Sequence, residues 1–501
     1  MDWYNPLLHK RSSVSAGMPP IPNAFDSIAL KSLQLLKKQQ NTLLPPSTQR
    51  NNINATTTDA MDALSYFLSK NPLYAVDWMY SPYANSDCIA IGSYKESTSN
   101  SLQIVHGVAY GREASQAFEE NYEDGIYLGG SPERGDQEIE GFDFHKVAEI
   151  GVDYPVTNIQ WDPTILGGVG GFQELFAASL DILRLYKVDH DTLDSNNNYK
   201  LNPLCALANC ASTATNKGDY SATNSEAVNT LPPITSFDWN KVDTNTIITS
   251  SVDTTCTVWD LNRAGQLCDP GSSIPANSPH SEAASIKAQL IAHDSEVFDV
   301  KFLHNSTNVF VSVGKDGSMR LFDLRSLEHS TIIYEPPQGQ MSSGYLSPLQ
   351  EKLFGSKALL KLSTSNIDQY YMATIAASSS EVLIIDSRMP GVPIANLDAS
   401  SGGSQGAVNS ITWHPRSNYL LTGGDNCEAL VWDCNNLSTE GQKEGVSSTF
   451  AASVKPEATP SGCDAPILCY DDDIEINNVC WRSQGDWFGV ISGKKLQAVL
   501  I

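Results

Sequence analysis

The sequence predicts an all-β fold, a seven-bladed propeller behind a disordered N-terminal tail, and three observations carry that prediction. First, residues 234–261 hold three short strand-like segments, ITSFDWN, TIITSSVD and TCTVWDL. They are rich in β-branched and aromatic residues, with turn-forming Asp and Asn between them. Second, the same frame recurs about seven times along the chain, at the roughly 40–45 residues per unit typical of propeller blades. Third, five of the nine tryptophans (Trp78, Trp161, Trp239, Trp413 and Trp481) close a first strand, and two (Trp259 and Trp432) close a third. A single blade cannot bury both its faces, so such units are stable only when stacked between neighbours.

Taken in order, residues 1–62 are rich in Pro, Ser, Asn, Gln and Thr and read as a mostly disordered tail. Within it Asp26 can cap a short helix through Lys38 that carries Leu30, Leu33 and Leu36, either a docking helix for a partner's groove or a transient one. The propeller is expected over 63–501. Blade one is read at 73–82, 88–94 and 102–107, and an acidic insert at 108–141 separates it from blade two at 156–163, 175–181 and 182–188. Residues 189–231 read as a loop. Blade three is the 234–261 stretch. Blade four follows at 288–302, 308–317 and 318–325, and blade five, a degenerate one, at 358–363, 370–378 and 381–388. Blade six is read at 408–415, 418–426 and 428–433, and after a loop at 435–465 blade seven takes 475–483, 486–492 and 496–501. That last blade lacks a fourth strand, and 63–68 is a strand without a blade. The two together close the ring, which removes its open edges.

The formal net charge is −25, from 32 basic and 57 acidic residues. No basic stripe is present to neutralise phosphates, so direct nucleic-acid binding is not expected, and anionic membrane surfaces are disfavoured too. Basic segments of partner proteins are the natural counterparts. No apolar run is long enough to span a bilayer and the N-terminus carries no secretory pattern. The ten cysteines are scattered without a CxxC pair, so neither a disulfide framework nor a zinc knuckle is expected. A monomer in the reducing cytoplasm and nucleus is the expectation.

Few groupings invite a chemical reading. His293, Ser312 and Asp316 have the composition of a catalytic triad, but at these blade positions they read as a structural hydrogen-bond network. A tryptophan would complete that network, and Phe322 stands there instead. Asp253 with Trp259, and Asp425 with Trp432, keep the same frame without a histidine, so those carboxylates need turn N–H donors. Asp471, Asp472 and Asp473 read either as a cation site or, since three consecutive carboxylates cannot all face one ion, as a solvated acidic loop. No phosphate-binding or dinucleotide-binding glycine loop is present, and Gly167–Gly171 reads as a flexible hairpin connection. No catalytic residue, cofactor or metal ligand is expected. An enzyme with a central-channel active site lacks the convergent His, Glu and Asp set it would need.

The segments FDWNKVDTNTIITSSVDTTCTVWDL (237–261), QLIAHDSEVFDV (289–300) and LEHSTIIYE (327–335), with EINNVCW (475–481) and LYAVDW (73–78), resemble one WD-repeat family. It is that of the plant anthocyanin regulators of the transparent testa glabra type and their animal counterpart, a kinase-binding adaptor. The resemblance covers roughly 63–501; the tail and the long loops depart from it. It implies a non-enzymatic scaffold that brings together protein kinases and transcription regulators. Plant members bridge MYB and basic helix-loop-helix factors, and animal members hold dual-specificity tyrosine-regulated kinases. The alternative it implies is a substrate receptor of a cullin-RING ubiquitin ligase, binding a cullin-ligase adaptor. That role goes with an Asp-x-Arg after a third strand, matched here by Asp323-Leu324-Arg325 and Asp386-Ser387-Arg388, where Phe322 and Ile385 replace the usual preceding Trp. Either arginine could reach a partner's carboxylate or carbonyl, or form an internal Arg–Asp pair bridging two blades.

Overall fold

Each Asp- or Asn-marked turn reverses the chain between two short strands, and runs of such strands build antiparallel sheets in this computed structural model. It describes residues 65–81, 86–111, 139–164, 174–194, 197–209, 231–261, 284–336, 357–400, 406–435, 437 and 465–501. The possible helix at 26–38 and the Gly167–Gly171 connection lie outside these residues, as does most of the acidic insert.

The chain starts with β1 (Tyr66–Leu68). A first set then comprises β2 (Leu73–Ser81), β3 (Ser86–Ser93), β4 (Asn100–Gly111) and β5 (Ile139–Val152), and a second β6 (Asn158–Trp161), β7 (Leu175–Ser179), β8 (Leu183–Leu193) and β9 (Tyr199–Leu207). The third has β10 (Ile234–Trp239), β11 (Thr246–Ser251), β12 (Thr255–Leu261) and β13 (Ala284–Ile291). The fourth has β14 (Val297–Phe302), β15 (Val309–Gly314), β16 (Met319–Asp323) and β17 (Ser330–Tyr334). The fifth has β18 (Leu359–Thr364), β19 (Tyr371–Ala376), β20 (Glu381–Asp386) and β21 (Ala395–Asp398). The sixth has β22 (Val408–Trp413), β23 (Tyr419–Gly424), β24 (Glu428–Asp433) and β25 (Leu468–Asp471). Finally β26 (Ile476–Trp481), β27 (Trp487–Ser492) and β28 (Lys495–Leu500) take β1 as their fourth strand, in the order β1-β28-β27-β26.

Five sheets have four strands each. The first two sets fuse into one eight-stranded sheet, where β5 and β9 meet at a single parallel pair, Ala148 against Tyr199. The first strands β2, β6, β10, β14, β18, β22 and β26 touch in that order, and β26 returns to β2. A chain of side-chain-to-backbone hydrogen bonds follows the same circle. Trp161 N donates to Asp77 Oδ2, Trp239 N to Gln160 Oε1, Phe302 N to Asp238 Oδ2, and Leu362 N to Asp299 Oδ2. Trp413 N donates to Ser363 Oγ, Val479 N to Ser410 Oγ, and Tyr80 N to Ser483 Oγ, over distances from 2.8 to 3.4 Å in the whole circle. Each first strand is thereby pinned to its successor, at about 1 kcal/mol per bond.

The core lies between sheets. Trp239 and Trp259 flank Ile247 in register, as Trp413 and Trp432 flank Leu420, and all six are buried. These aromatics are packing elements, each contributing about 4–6 kcal/mol of gross burial energy.

Several sequence-based readings of the outer strands are corrected. The end of the 108–141 insert and the residues after it form β5, paired along its length with β4. The 189–231 loop contains β9, and the segment after the 435–465 loop forms β25. The 288–302 segment is two elements: its start belongs to β13 of the third set, and only its end is β14. β13, β17 and β25 are partly open to solvent, so they lack the continuous run of buried residues that marks inner strands such as β7, β11 and β27. Asp472 is not part of a solvated acidic loop, because its buried carboxylate accepts from Ser492 Oγ at 2.7 Å and Lys495 Nζ at 2.8 Å and ties two sets together.

Candidate functional site: paired arginine corners on neighbouring sheets

The strands β16 and β20 end on Asp323 and Asp386, at equivalent places on adjacent sheets, and each turn that follows carries an arginine two residues on. Asp323 accepts from Arg325 N at 3.0 Å, Arg325 Nε at 2.9 Å and Nη2 at 2.6 Å. Asp386 accepts from Arg388 N at 2.9 Å, Nε at 2.9 Å and Nη2 at 2.7 Å. Both are bidentate forks closed within one turn. They do not bridge two blades, which corrects the inter-blade pairing weighed from the sequence. In each, the backbone N–H and the guanidinium of one arginine close on the same carboxylate, which fixes the corner.

The two corners differ in their surroundings. Arg325 stands in solvent, and its fork with the turn N–H holds the Asp323 carboxyl below the usual range. Arg388 packs its guanidinium over the Tyr370 ring at 4.4 Å and the Tyr371 ring at 5.5 Å, and donates to Tyr371 Oη at 3.3 Å. Its Asp386 partner is almost fully buried, so Arg388 is a half-exposed cation braced by two rings, while Arg325 is held by its own aspartate alone in solvent.

One backbone bond ties the second corner to the preceding sheet. Gly391 N donates to Ile333 O of β17 at 2.8 Å, docking the Asp386–Gly391 turn onto the outer strand of the preceding sheet. Gly391 has φ +99°, a conformation that favours glycine. Exposed on these two adjacent sheets are Arg325, Leu327 and Ile332 of the one and Arg388, Met389 and Val392 of the next. Large apolar side chains left open beside fixed cations are the composition of a protein-docking surface. Sequence reasoning found the arginines but missed the Tyr370–Tyr371 shelf and Gly391. The tyrosine pair next to β19 was its available signal.

The remaining singled-out residues sit inside the sheets. His293 Nε2 lies 2.8 Å from Ser312 Oγ and Nδ1 lies 3.0 Å from Asp316, with Ser318 Oγ donating to Asp316 at 2.8 Å. Burial alone would raise the Asp316 carboxyl, but His293 and the Ser318 N–H hold it well below the usual range. Ser312 is fully buried, which suits a tie between strands and not a nucleophile. Phe322 stacks on Phe310 where an indole would donate. In the third and sixth sets the indole is present and its acceptor is a threonine: Trp259 Nε1 donates to Thr249 Oγ1 at 3.0 Å, and Trp432 Nε1 to Thr422 Oγ1 at 3.1 Å. Asp253 accepts the Thr255 N–H and hydroxyl of its own turn, whereas Asp425 accepts the side-chain amide of Asn409 at 2.8 Å.

Comparison with known proteins places this architecture. The family model "WD domain, G-beta repeat" matches residues 285–323 and 391–433. Each match begins on the outer strand of one sheet and runs through the three inner strands of the next, so the repeat unit is offset by one strand from the sheet. A WD repeat-containing protein of Saccharomyces cerevisiae is 36% identical over 479 residues, covering 88% of this chain and 77% of the relative. A second WD repeat-containing protein, of Schizosaccharomyces pombe, is 33% identical over 85% of this chain and 87% of its own length. The DDB1- and CUL4-associated factor 7 homolog of Dictyostelium discoideum is 31% identical over 81% of this chain and 98% of its own length. Matches of that identity across most of each partner's length establish that this chain belongs to the WD-repeat family.

Proposed function

We propose that this chain is a non-enzymatic scaffold, a rigid ring that brings together regulatory proteins such as protein kinases and transcription regulators, with the paired arginine corners as one docking face. The observation that carries the reading is the rim where Arg325 and Arg388, each locked by its own aspartate, flank open apolar side chains. A preformed surface leaves most of the ordering cost to the partner segment. The kinase and transcription partners follow from the resemblance to the plant anthocyanin regulators and their animal counterpart. The same reading has the chain acting as a monomer in cytoplasm and nucleus. With a net charge of −25, it favours partners with basic segments whose binding weakens as salt rises.

A second reading, substrate receptor of a cullin-RING ubiquitin ligase, is favoured by one observation. A relative that this chain matches over 98% of its length is named for association with DDB1 and CUL4. Affinity purification of the tagged full chain from its own cells, with quantitative mass spectrometry, separates the two. A kinase or transcription regulator as dominant partner supports the scaffold, and a cullin adaptor supports the receptor. No protein enriched above a control propeller would sink both.

A further inference from the structure

Among the described residues, one buried cluster is unexplained by packing or by the docking rim. In the β3–β4 register Cys88 and His106 are direct cross-strand partners, so both side chains leave the first set on the same face. Glu174, just before β7, and His190, on β8, meet them from the second set. Cys88 Sγ lies 3.6 Å from Glu174 Oε1, and His106 Nε2 lies 3.4 Å from the same oxygen. His190 Nε2 lies 3.5 Å from Glu174 Oε2. Glu174 is 1% exposed and Cys88 fully buried. Even so, His106 Nε2 and Glu174 Oε2 make no hydrogen bond, although both atoms are shielded from solvent. The carboxylate meets the two imidazoles as long ion pairs at 3.4 and 3.5 Å, so His106 Nε2 and Glu174 Oε2 are only loosely partnered inside the sheet-to-sheet junction.

We propose that this cluster is a zinc site, with Cys88, His106 and Glu174 as ligands, an open fourth position, and His190 holding the other oxygen of the Glu174 carboxylate as an outer partner. The ligand atoms of the first three all lie within 4.8 Å of one another. Tetrahedral zinc with bonds of about 2.0–2.3 Å sets its ligand atoms roughly 3.3–3.7 Å apart, the spacing already present around Glu174 Oε1. A thiolate, an imidazole and a carboxylate form the mixed set that suits zinc over magnesium or calcium. His190 is the half-exposed member and gives an ion its way in. The Tyr199 ring, at the pair where the two sheets fuse, packs edge-on against His190 at 4.6 Å. The metal therefore staples the first set to the second. On binding, the Cys88 thiol gives its proton to solvent and the ion takes the thiolate.

The test uses the full chain purified under reducing conditions. Zinc content is measured by mass spectrometry of the metal, and the metal-free chain is titrated with Co²⁺. About one equivalent of zinc is expected, with a thiolate-to-cobalt charge-transfer band that Cys88→Ser abolishes. His190→Gln, at a half-exposed position, should leave the far-UV circular dichroism unchanged and weaken metal affinity at least about tenfold. Should Cys88→Ser fail to fold, His190→Gln decides. Wild-type chain without zinc and without a thiolate–cobalt band overturns the proposal, as does metal binding that neither substitution changes.

Discussion

Arg482 and Asp87, 395 positions apart, form a buried bidentate ion pair across the seam where the last set of strands meets the first. Arg482 Nε donates to Asp87 Oδ1 at 2.6 Å and Nη2 to Oδ2 at 3.1 Å, while Trp78 Nε1 donates to the same carboxylate at 2.8 Å. The guanidinium also reaches Asp486, and lies 5.5 Å from the Phe142 ring centre. The seam is thus held by, among other ties, the β1–β28 pairing, the bond from Tyr80 N to Ser483, the bond from Asn478 Nδ2 to Tyr74 O, and this pair.

Removing one partner strands the other charge in the seam. Arg482→Leu is expected to cost about 3–5 kcal/mol, read as a lower denaturation midpoint, whereas Arg482→Met combined with Asp87→Leu recovers much of the loss. Equal losses in the single and double variants would show that the pair is not what holds the seam.

The fourth set should carry an acid-sensitive component. Asp316 is held below its ordinary range, so its contribution is complete above the unfolded carboxylate pKa of about 3.9 and is lost as pH falls toward the folded value. The Tm difference between wild type and Asp316→Asn should be constant from about pH 5 to 7 and shrink below about pH 4. A difference that grows on acidification would reverse the sign assigned here.

Gly485 has φ +86°, and a Cβ there would stand 2.3 Å from His414 Nε2. Gly485→Ala therefore combines backbone strain with a clash and should cost about 2 kcal/mol or more. Gly151 has nothing within 4 Å and no such φ, so Gly151→Ala should fall within about 0.5 kcal/mol of wild type. Thermal melts of the two variants decide the point, and similar shifts would contradict it.

Thr249→Val removes the acceptor of Trp259 Nε1 inside the sheet and is expected to cost about 1–3 kcal/mol. Adding Trp259→Phe removes the stranded donor, as Phe322 does naturally in the fourth set, so the second change should cost less in the Thr249→Val background than alone. A double-mutant cycle with no coupling would argue against that bond.

The inner strands were legible because they are near-continuous runs of β-branched and apolar residues, buried on both faces, and because the tryptophans recur in register. The outer strands were not. The β9 segment YKLNPLCAL carries a proline, and the β13 segment ASIKAQLI turns half its residues to solvent. Neither shows the pattern of a buried strand, and pairing with a neighbour, which is non-local, decides them. Asp323–Arg325 and Asp386–Arg388 were visible as a spacing, but the tie of the second corner to the preceding sheet through Gly391 and Ile333 depends on the packing of two sheets. The cluster of Cys88, His106, Glu174 and His190 was invisible for the same reason, since its members are spread over about a hundred residues and meet only when β3, β4, β7 and β8 are assembled.

The measurement that bears most directly on the scaffold reading is quantitative capture of partners by the full chain against the double variant Arg325→Glu, Arg388→Glu. The variant's melting temperature serves as the fold control. Arg325 lies in solvent, whereas Arg388 covers the buried Asp386 carboxylate, so Tm should fall while the variant still melts cooperatively. The expected result is a folded variant at the assay temperature, with at least one protein retained by the wild type falling about tenfold or more, as two lost charge-assisted contacts require. An unchanged partner profile on a folded double variant would contradict the assignment of this rim as a docking face.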